Sequence, residues 1–309
     1  MRARTGRQRS VLLLSFVAAL ALLISACGAS GTSPTATPTT TASPTPEAIA
    51  HPTGADEYIL RIAQEGGFVA PAALLTRLPL VTLTGNGCAI VEGLHTDIFP
   101  GPVLPNLLET CLTEYGVQGI LQAAKLAGLM NGDADYGNPH VADATTTVFT
   151  LNAGGKTMTV KAYALGEATQ STGTPAADVA RQKLVELQNK LANLHEWLPA
   201  TAFSGAQHPY EVTRLQVVSQ PVSGGGSVAT PEGIAVQHPD WPLATPLSEI
   251  GQPFNTSATM RCTIVQGDDL ATLMTQLHTA NQLTQWSSGG EEYSLLLRPL
   301  LPGEQGCAT

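Results

Sequence analysis

Basic residues are scarce in this chain, and more than a quarter of them lie within its first nine positions. The 309 residues include 15 Lys and Arg against 24 Asp and Glu, and four of the arginines lie in residues 1–26. Without that segment 11 basic residues remain against 24 acidic ones, a formal charge of −13. Nucleic acids and anionic lipid headgroups are bound by clusters of Lys and Arg, so the composition argues against both as partners.

Contiguous motifs for catalysis or metal binding are absent as well. The sequence has no CxxC, HxH, HxxH, HExxH, GxSxG or SxxK. The glycine-rich run at residues 223–227 lacks the Lys-Ser/Thr that a phosphate-binding loop requires. These absences argue against a redox pair, a nucleophile elbow and a histidine metal site, and nothing in the sequence indicates a cofactor.

The first 27 residues have the pattern of an export signal. Four arginines precede an apolar run at residues 11–24, which is shorter than the roughly 20 residues that a membrane-spanning helix needs. Residues 24–27, Ile-Ser-Ala-Cys, resemble the bacterial lipobox. The resemblance implies that residues 1–26 are a lipoprotein signal peptide and that Cys27 becomes the lipidated N-terminus, with palmitate among its acyl chains. An ordinary cleaved signal peptide is the alternative.

Two acyl chains on Cys27 would hold the protein on the extracytoplasmic side of the cell membrane. Behind the cysteine, 14 of the 23 residues at 28–50 are Ser, Thr or Pro. Such a segment buries too little apolar surface to offset its ordering entropy, so residues 27–54 are predicted to be the lipidated cysteine and a disordered linker. The remainder is expected to be one domain, or two subdomains at residues 55–198 and 199–309.

The pattern of apolar residues after the linker predicts an α+β fold. Segments with alternating or β-branched residues predict mainly antiparallel strands. Three segments with apolar spacings of three and four predict amphipathic helices on one face of the sheet, with Thr113, Thr174 and Asp268 as N-caps. A strand–helix–strand pattern occurs near both ends, which leaves two related halves open as an alternative.

Four cysteines remain after Cys27, an even number that predicts two disulfides in an exported domain. Three pairings are conceivable. We expect Cys88–Cys111 and Cys262–Cys307, because each pair closes a loop within its own half of the chain. The second bridge would also hold the C-terminal end, which otherwise frays.

The layout of residues 78–194 resembles an uncharacterised family of small bacterial exported domains. The shared features are a strand pair at residues 80–91, Ala-Gly-Leu at 127–129, a loop with Tyr136, and Asp-Ala-Thr-Thr at 143–146. The resemblance implies an α+β domain and carries no assigned activity.

One polar loop, at residues 131–143, concentrates groups that could bind a ligand. The candidates are Asp133, Asp135, Tyr136, His140 and Asp143. The loop is not an EF-hand, since Tyr136 occupies the glycine position and Ala142 the position of the bidentate glutamate. Because loops often carry binding groups, we expect a site for a cation or a small polar ligand here. The alternative is a connection whose polar residues only form turns.

The sequence therefore predicts a membrane-anchored extracytoplasmic lipoprotein with a non-enzymatic binding domain. Its partner would be a protein, a peptide, a glycan or a small ligand, in addition to the membrane that the lipid enters. Two alternatives stay open: a hydrolase-like enzyme whose site is assembled from distant residues, and an accessory subunit of a membrane complex.

Overall fold

A computed structural model describes most of the chain beyond its first 46 residues. The described residues are 47–95, 97–167, 174–222, 233–254 and 257–307. Residues 47–309 form one compact unit. The predicted signal peptide, Cys27 and the predicted linker as far as residue 46 lie outside the described residues.

The ordered region begins earlier than the sequence indicated. Residues 47–54 fall within the predicted linker, yet the main chain of Ile49 exchanges two hydrogen bonds with the side chain of Gln118, at 2.8 and 2.9 Å. The carbonyl of Ala50 accepts from Gly154 N at 2.7 Å. These partners lie more than 60 residues away, so their contacts could not be read from the local composition.

The fold is α+β, as predicted, and its first part forms an eight-stranded sheet. Its strands and helices, in chain order, are β1 (Tyr58–Gly66), α1 (Pro71–Thr76), β2 (Val81–Thr84), β3 (Cys88–Glu92), β4 (Leu107–Cys111), α2 (Glu114–Leu126), β5 (Ala134–Tyr136), β6 (Thr145–Ala153), β7 (Lys156–Tyr163), α3 (Pro175–Ala192), α4 (Leu194–Trp197) and β8 (His208–Pro209). The strand order is β5-β7-β6-β1-β2-β3-β4-β8, and only β5 and β7 pair in parallel.

The second part forms a five-stranded antiparallel sheet. Its elements are β9 (Arg214–Pro221), β10 (Gln252–Phe254), β11 (Ser257–Gln266), α5 (Gly267–Leu277), β12 (Gln285–Ser288) and β13 (Glu291–Pro299). The strand order is β10-β11-β9-β13-β12. The chain leaves the first sheet after Pro209 and enters the second at Arg214, later than the boundary expected at residue 199.

Each sheet packs its helices over one face. Helices α2 and α3 cover the first sheet with the stripes that the spacing predicted, and the buried members are Val117, Ile120, Leu121, Ala124, Leu184, Leu187 and Leu191. Helix α5 buries Leu270, Leu273 and Leu277 in a separate core with the second sheet. In both layers the helix stripe and the inner strand residues exclude water together.

The helix starts follow the capping rule in two cases out of three. Thr113 and Thr174 accept hydrogen bonds from the main-chain N–H of Gly116 and Ala177, as predicted. The prediction for Asp268 was wrong: the N-cap of α5 is Gln266, whose side chain makes no capping bond, and Asp268 lies in the first turn.

The two predicted disulfides are present. Cys88 and Cys111 are directly opposed on the adjacent strands β3 and β4. Cys262, in β11, is bonded to Cys307 near the C-terminal end. Among the described residues no helix has the length and apolar character needed to cross a bilayer.

Candidate functional site

The loop that the sequence singled out is largely part of the fold. Residues 134–136 form β5, a short strand that the sequence did not predict, at the edge of the first sheet beside β7. Asp133 Oδ1 accepts a hydrogen bond from Thr159 N at 2.7 Å, which secures this edge. Tyr136 packs against the core, and its carbonyl accepts from Arg181 Nη1 at 2.9 Å. These contacts give Asp133 and Tyr136 structural partners.

The remaining candidates of the loop, Asp135, His140 and Asp143, are exposed. Within the described ranges, the only three His, Cys, Asp or Glu side chains with ligand atoms within 4.8 Å of one another are Cys88, Glu109 and Cys111. The two cysteines of that group are bonded to each other and cannot bind an ion. The fold therefore does not gather the three aspartates of the loop around one ion.

A different site lies on the face of the first sheet opposite α2 and α3. Arg61 stands in β1 between Leu60 and Ile62, which both point into the helix-covered core. Because side chains alternate along a strand, Arg61 is directed to the opposite face. There it lines a cleft of about 450 Å³ together with Arg77 and Arg298. We call this the arginine cleft.

Five parts of the fold contribute residues to the cleft. Arg77 follows directly after α1, and Arg298 lies in β13 of the second sheet. The floor is formed by outward-facing residues of β1 and β6, and Glu304 comes from the C-terminal segment. The apolar lining residues are Ala63, Leu74, Leu78, Pro79 and Val148.

Arg61 is the most constrained of the three arginines. Its guanidinium lies over the ring of Tyr58, 4.1 Å from the centroid, and Nη2 donates to the carbonyl of Pro302. Its Nε is buried and has no hydrogen-bond partner among the described residues. Burial lowers the pKa of Arg61, an effect that Glu304 opposes and that the neighbouring charge of Arg298 reinforces. The guanidinium of Arg61 is thus a poorly solvated cation whose N–H donors are not all used by hydrogen bonds within the fold.

Arg77 and Arg298 also keep donors beyond those that the fold uses. Arg77 donates from Nη1 to the carbonyls of Gln64 and Gly66, at 3.3 and 2.9 Å. Its Nε and Nη2 make no hydrogen bond within the part of the chain that the structure describes. Arg298 donates from Nε to Arg77 O at 2.9 Å and from Nη2 to the carboxylate of Glu304. Its Nη1 makes no hydrogen bond to the residues that the structure describes. Each guanidinium carries five N–H donors, so all three retain capacity for a ligand.

The carboxylates of the cleft are already paired. Glu304 accepts from Arg298 Nη2 at 2.6 Å with one oxygen, and from Leu301 N at 2.9 Å with the other. Glu65 lies 3.8 Å from the amino group of Lys161, outside the cleft. The cleft therefore contains three arginines and two carboxylates, and the charge of one carboxylate, that of Glu65, is offset by Lys161 outside the cleft. In a strongly acidic chain, this is a local excess of positive charge.

The neighbouring cavities differ from the arginine cleft in charge. One cavity of about 430 Å³ shares Glu304 with the arginine cleft and has three further acidic lining residues, Asp56, Glu109 and Glu211. It contains Tyr210, whose pKa is raised by burial and then by Glu109. Another, of about 650 Å³, lies beside the β6–β7 turn and has a mixed lining. Only the arginine cleft, among these three, combines several cations with an unpartnered buried donor.

Sequence reasoning missed this site because its arginines are far apart along the chain. Arg61 and Arg298 are separated by 237 positions, and they meet only through the packing of the two sheets. One local sign was present: Arg61 interrupts an apolar strand in a chain with few basic residues. A charged residue in the middle of a strand, with apolar neighbours that face the core, shows that the other face of the sheet is polar. That face is where a polar site could lie.

Comparison of the chain with protein-family models, with curated proteins and with solved structures gives no match.

Proposed function

We propose that this protein is an exported lipoprotein, anchored through Cys27, whose extracytoplasmic domain binds an anionic ligand in the arginine cleft. The observation that carries the binding part is the gathering of Arg61, Arg77 and Arg298 at one cleft of an otherwise acidic chain. The anchoring part is supported by the lipobox-like residues 24–27. The two disulfides agree with an oxidising compartment outside the cytoplasm.

The chemistry of the lining favours recognition over catalysis. Arginine presents a planar fork of donors that matches carboxylates and phosphates, and it stays charged throughout the physiological range. Glu65 and Glu304 are each engaged by a cation. The cleft therefore offers electrostatic attraction and directional N–H donors, which are the requirements for holding an anion.

The binding proposal is tested with the full chain and two simple anions, succinate and inorganic phosphate. Titration calorimetry at low salt should detect binding of at least one of them. Arg77→Gln should weaken it about tenfold or more, since a hydrogen bond to a charged group contributes about 1.5–3 kcal/mol. Added salt should weaken it further, because exposed charges are screened.

Arg261→Gln is the matched control for Arg77→Gln. Like Arg77, Arg261 is half-buried and donates to two main-chain carbonyls, those of Ile250 and Gly251. It lies in β11 and does not line the arginine cleft. The control should bind as the parent does. Equal losses in both variants, or no binding of either anion, would contradict the proposal.

The anchoring proposal has a separate test in cells. Cys27→Ala should leave the protein unprocessed by the lipoprotein signal peptidase and without radiolabelled acyl chains, because the acceptor thiol is gone. Cys27 precedes the compact unit at residues 47–309, so the fold of that unit should be unaffected by the change. Normal processing and acyl labelling of the variant would refute attachment at this cysteine.

A further inference from the structure

An exposed apolar segment adjoins the arginine cleft. All seven residues at 68–74, Phe-Val-Ala-Pro-Ala-Ala-Leu, are apolar and exposed. Phe68 is 90% exposed, and Leu74 is 45% exposed. Single exposed apolar residues are ordinary on protein surfaces, but a continuous run of them marks a binding surface.

The segment is fixed at both ends by the fold. Phe68 N donates to Asp143 O at 3.1 Å, and Leu75, directly after the segment, packs into a core cluster of the second sheet. The carbonyl of Leu75 also accepts from Gln216 Nε2 at 3.4 Å. The apolar side chains between these points are therefore held in solvent.

The segment and the cleft form one continuous surface. Gly66, two residues before the segment, lines the cleft, and so does Leu74 at its other end. Leu78, Pro79 and Val148 extend the apolar lining inward. A ligand whose charged group meets the arginines would therefore have an apolar path leading outward along residues 68–74.

We infer that the ligand is an amphipathic anion: an aliphatic carboxylate whose head binds the arginines and whose chain lies against residues 68–74. The inference rests on the proposed function and names its ligand class. The guanidinium donors complement the carboxylate. The apolar segment is continuous with the cleft, so it offers a surface for the alkyl chain of the same ligand. The two parts of the site thus require one molecule with both properties.

The test uses the full chain in phosphatidylcholine nanodiscs, titrated calorimetrically with acetate, butanoate, hexanoate and octanoate against empty discs. A fully buried methylene raises affinity about fourfold, and a half-buried one about twofold. Octanoate should therefore bind at least about sixteenfold more tightly than butanoate. Octylammonium, which has a similar alkyl chain and the opposite charge, should not compete with octanoate.

Phe68→Ser should reduce the affinity for octanoate toward that for butanoate and leave the affinity for acetate unchanged, because only the alkyl chain of the ligand would contact this residue. Leu94→Ser is the matched control, since Leu94 is 92% exposed and does not line the cleft. It should reproduce the parent series. Arg77→Gln should weaken every member, because all share the carboxylate. Both serine substitutions are at exposed side chains, so neither should disturb the fold.

The outcomes separate the inference from the proposed function. A series with no dependence on chain length, but weakened by Arg77→Gln, would overturn the inference and leave anion binding in place. Absence of binding by every carboxylate and by phosphate would overturn both. If Phe68→Ser leaves octanoate binding unchanged and instead reduces flotation with vesicles, or self-association in sedimentation, the segment serves a bilayer or a second copy, and the inference is wrong.

Discussion

The two sheets use their disulfides in different ways. Cys88–Cys111 joins two strands that are already hydrogen-bonded neighbours in the eight-stranded sheet. Cys262–Cys307 instead ties the C-terminal segment, residues 300–307, to β11 of the five-stranded sheet. That segment crosses to the first sheet. One bridge therefore reinforces a contact within a sheet, and the other holds a contact between the sheets.

The C-terminal segment matters because the two sheets have separate apolar cores. Leu301 packs with Ile90 and Leu107 on the face of the first sheet away from α2 and α3. Pro302 O accepts from Arg61 in β1, and Glu304 O accepts from Arg214 in β9 at 2.9 Å. The segment thus contacts both sheets through one apolar anchor and several arginines. Arg61 and Arg298, which donate to Pro302 and Glu304, also line the arginine cleft, so the contact between the sheets and the candidate site depend on one piece of chain.

Removing each disulfide should separate stability from binding, and this is the largest effect that we expect. The bridged pairs are 23 and 45 residues apart, so in the chain-entropy model they contribute about 3 and about 4 kcal/mol. Cys88→Ser with Cys111→Ser should lower the free energy of unfolding but retain anion binding. Cys262→Ser with Cys307→Ser should lower it somewhat more and also weaken binding about tenfold, because Pro302 and Glu304 would no longer hold Arg61 and Arg298 in position.

Urea denaturation gives the unfolding free energies, and calorimetry with the anion of the cleft test gives the affinities. The two double variants serve as controls for each other, since each loses one bridge. The comparison would fail if both bound the anion equally well, or if the first variant lost binding while the second kept it.

Local chemistry explains why much of the fold could be predicted. The β2–β3 hairpin turns at Gly85-Asn86-Gly87, and Gly87 takes the positive φ of 86° that such a turn favours. Gly85 has a further reason that the sequence could not show. A Cβ there would lie 2.3 Å from Gly54 O, so glycine is needed for the preceding segment to pack against the turn.

Elements that depend on distant partners were not predictable in the same way. Strand β5 has three residues and is defined only by its parallel pairing with β7. Helix α1 has six residues and no side-chain cap, so it is too short to show a periodicity, and Pro71 at its first position was the one local signal for it. The arginine cleft needs both sheets before any of its geometry exists. The polar loop at residues 131–143, by contrast, was conspicuous in sequence because of composition, and Arg181 and Thr159 use part of it structurally.

The starts of α2 and α5 allow a finer comparison of the two layers, with the smallest effect. Thr113 Oγ1 accepts from Gly116 N at 3.4 Å and donates to Thr201 O at 3.0 Å, whereas Gln266 at the start of α5 makes no capping bond. Thr113→Ala should lower the free energy of unfolding by about 1 kcal/mol, and Gln266→Ala should change it by less than about 0.5 kcal/mol. Thr113→Ser, which keeps the hydroxyl, should restore most of the loss in urea denaturation. Equal effects of the two alanine variants would show that the hydroxyl of Thr113 does not stabilise α2. The N-caps of α2 and α5 would then contribute equally to the free energy of unfolding.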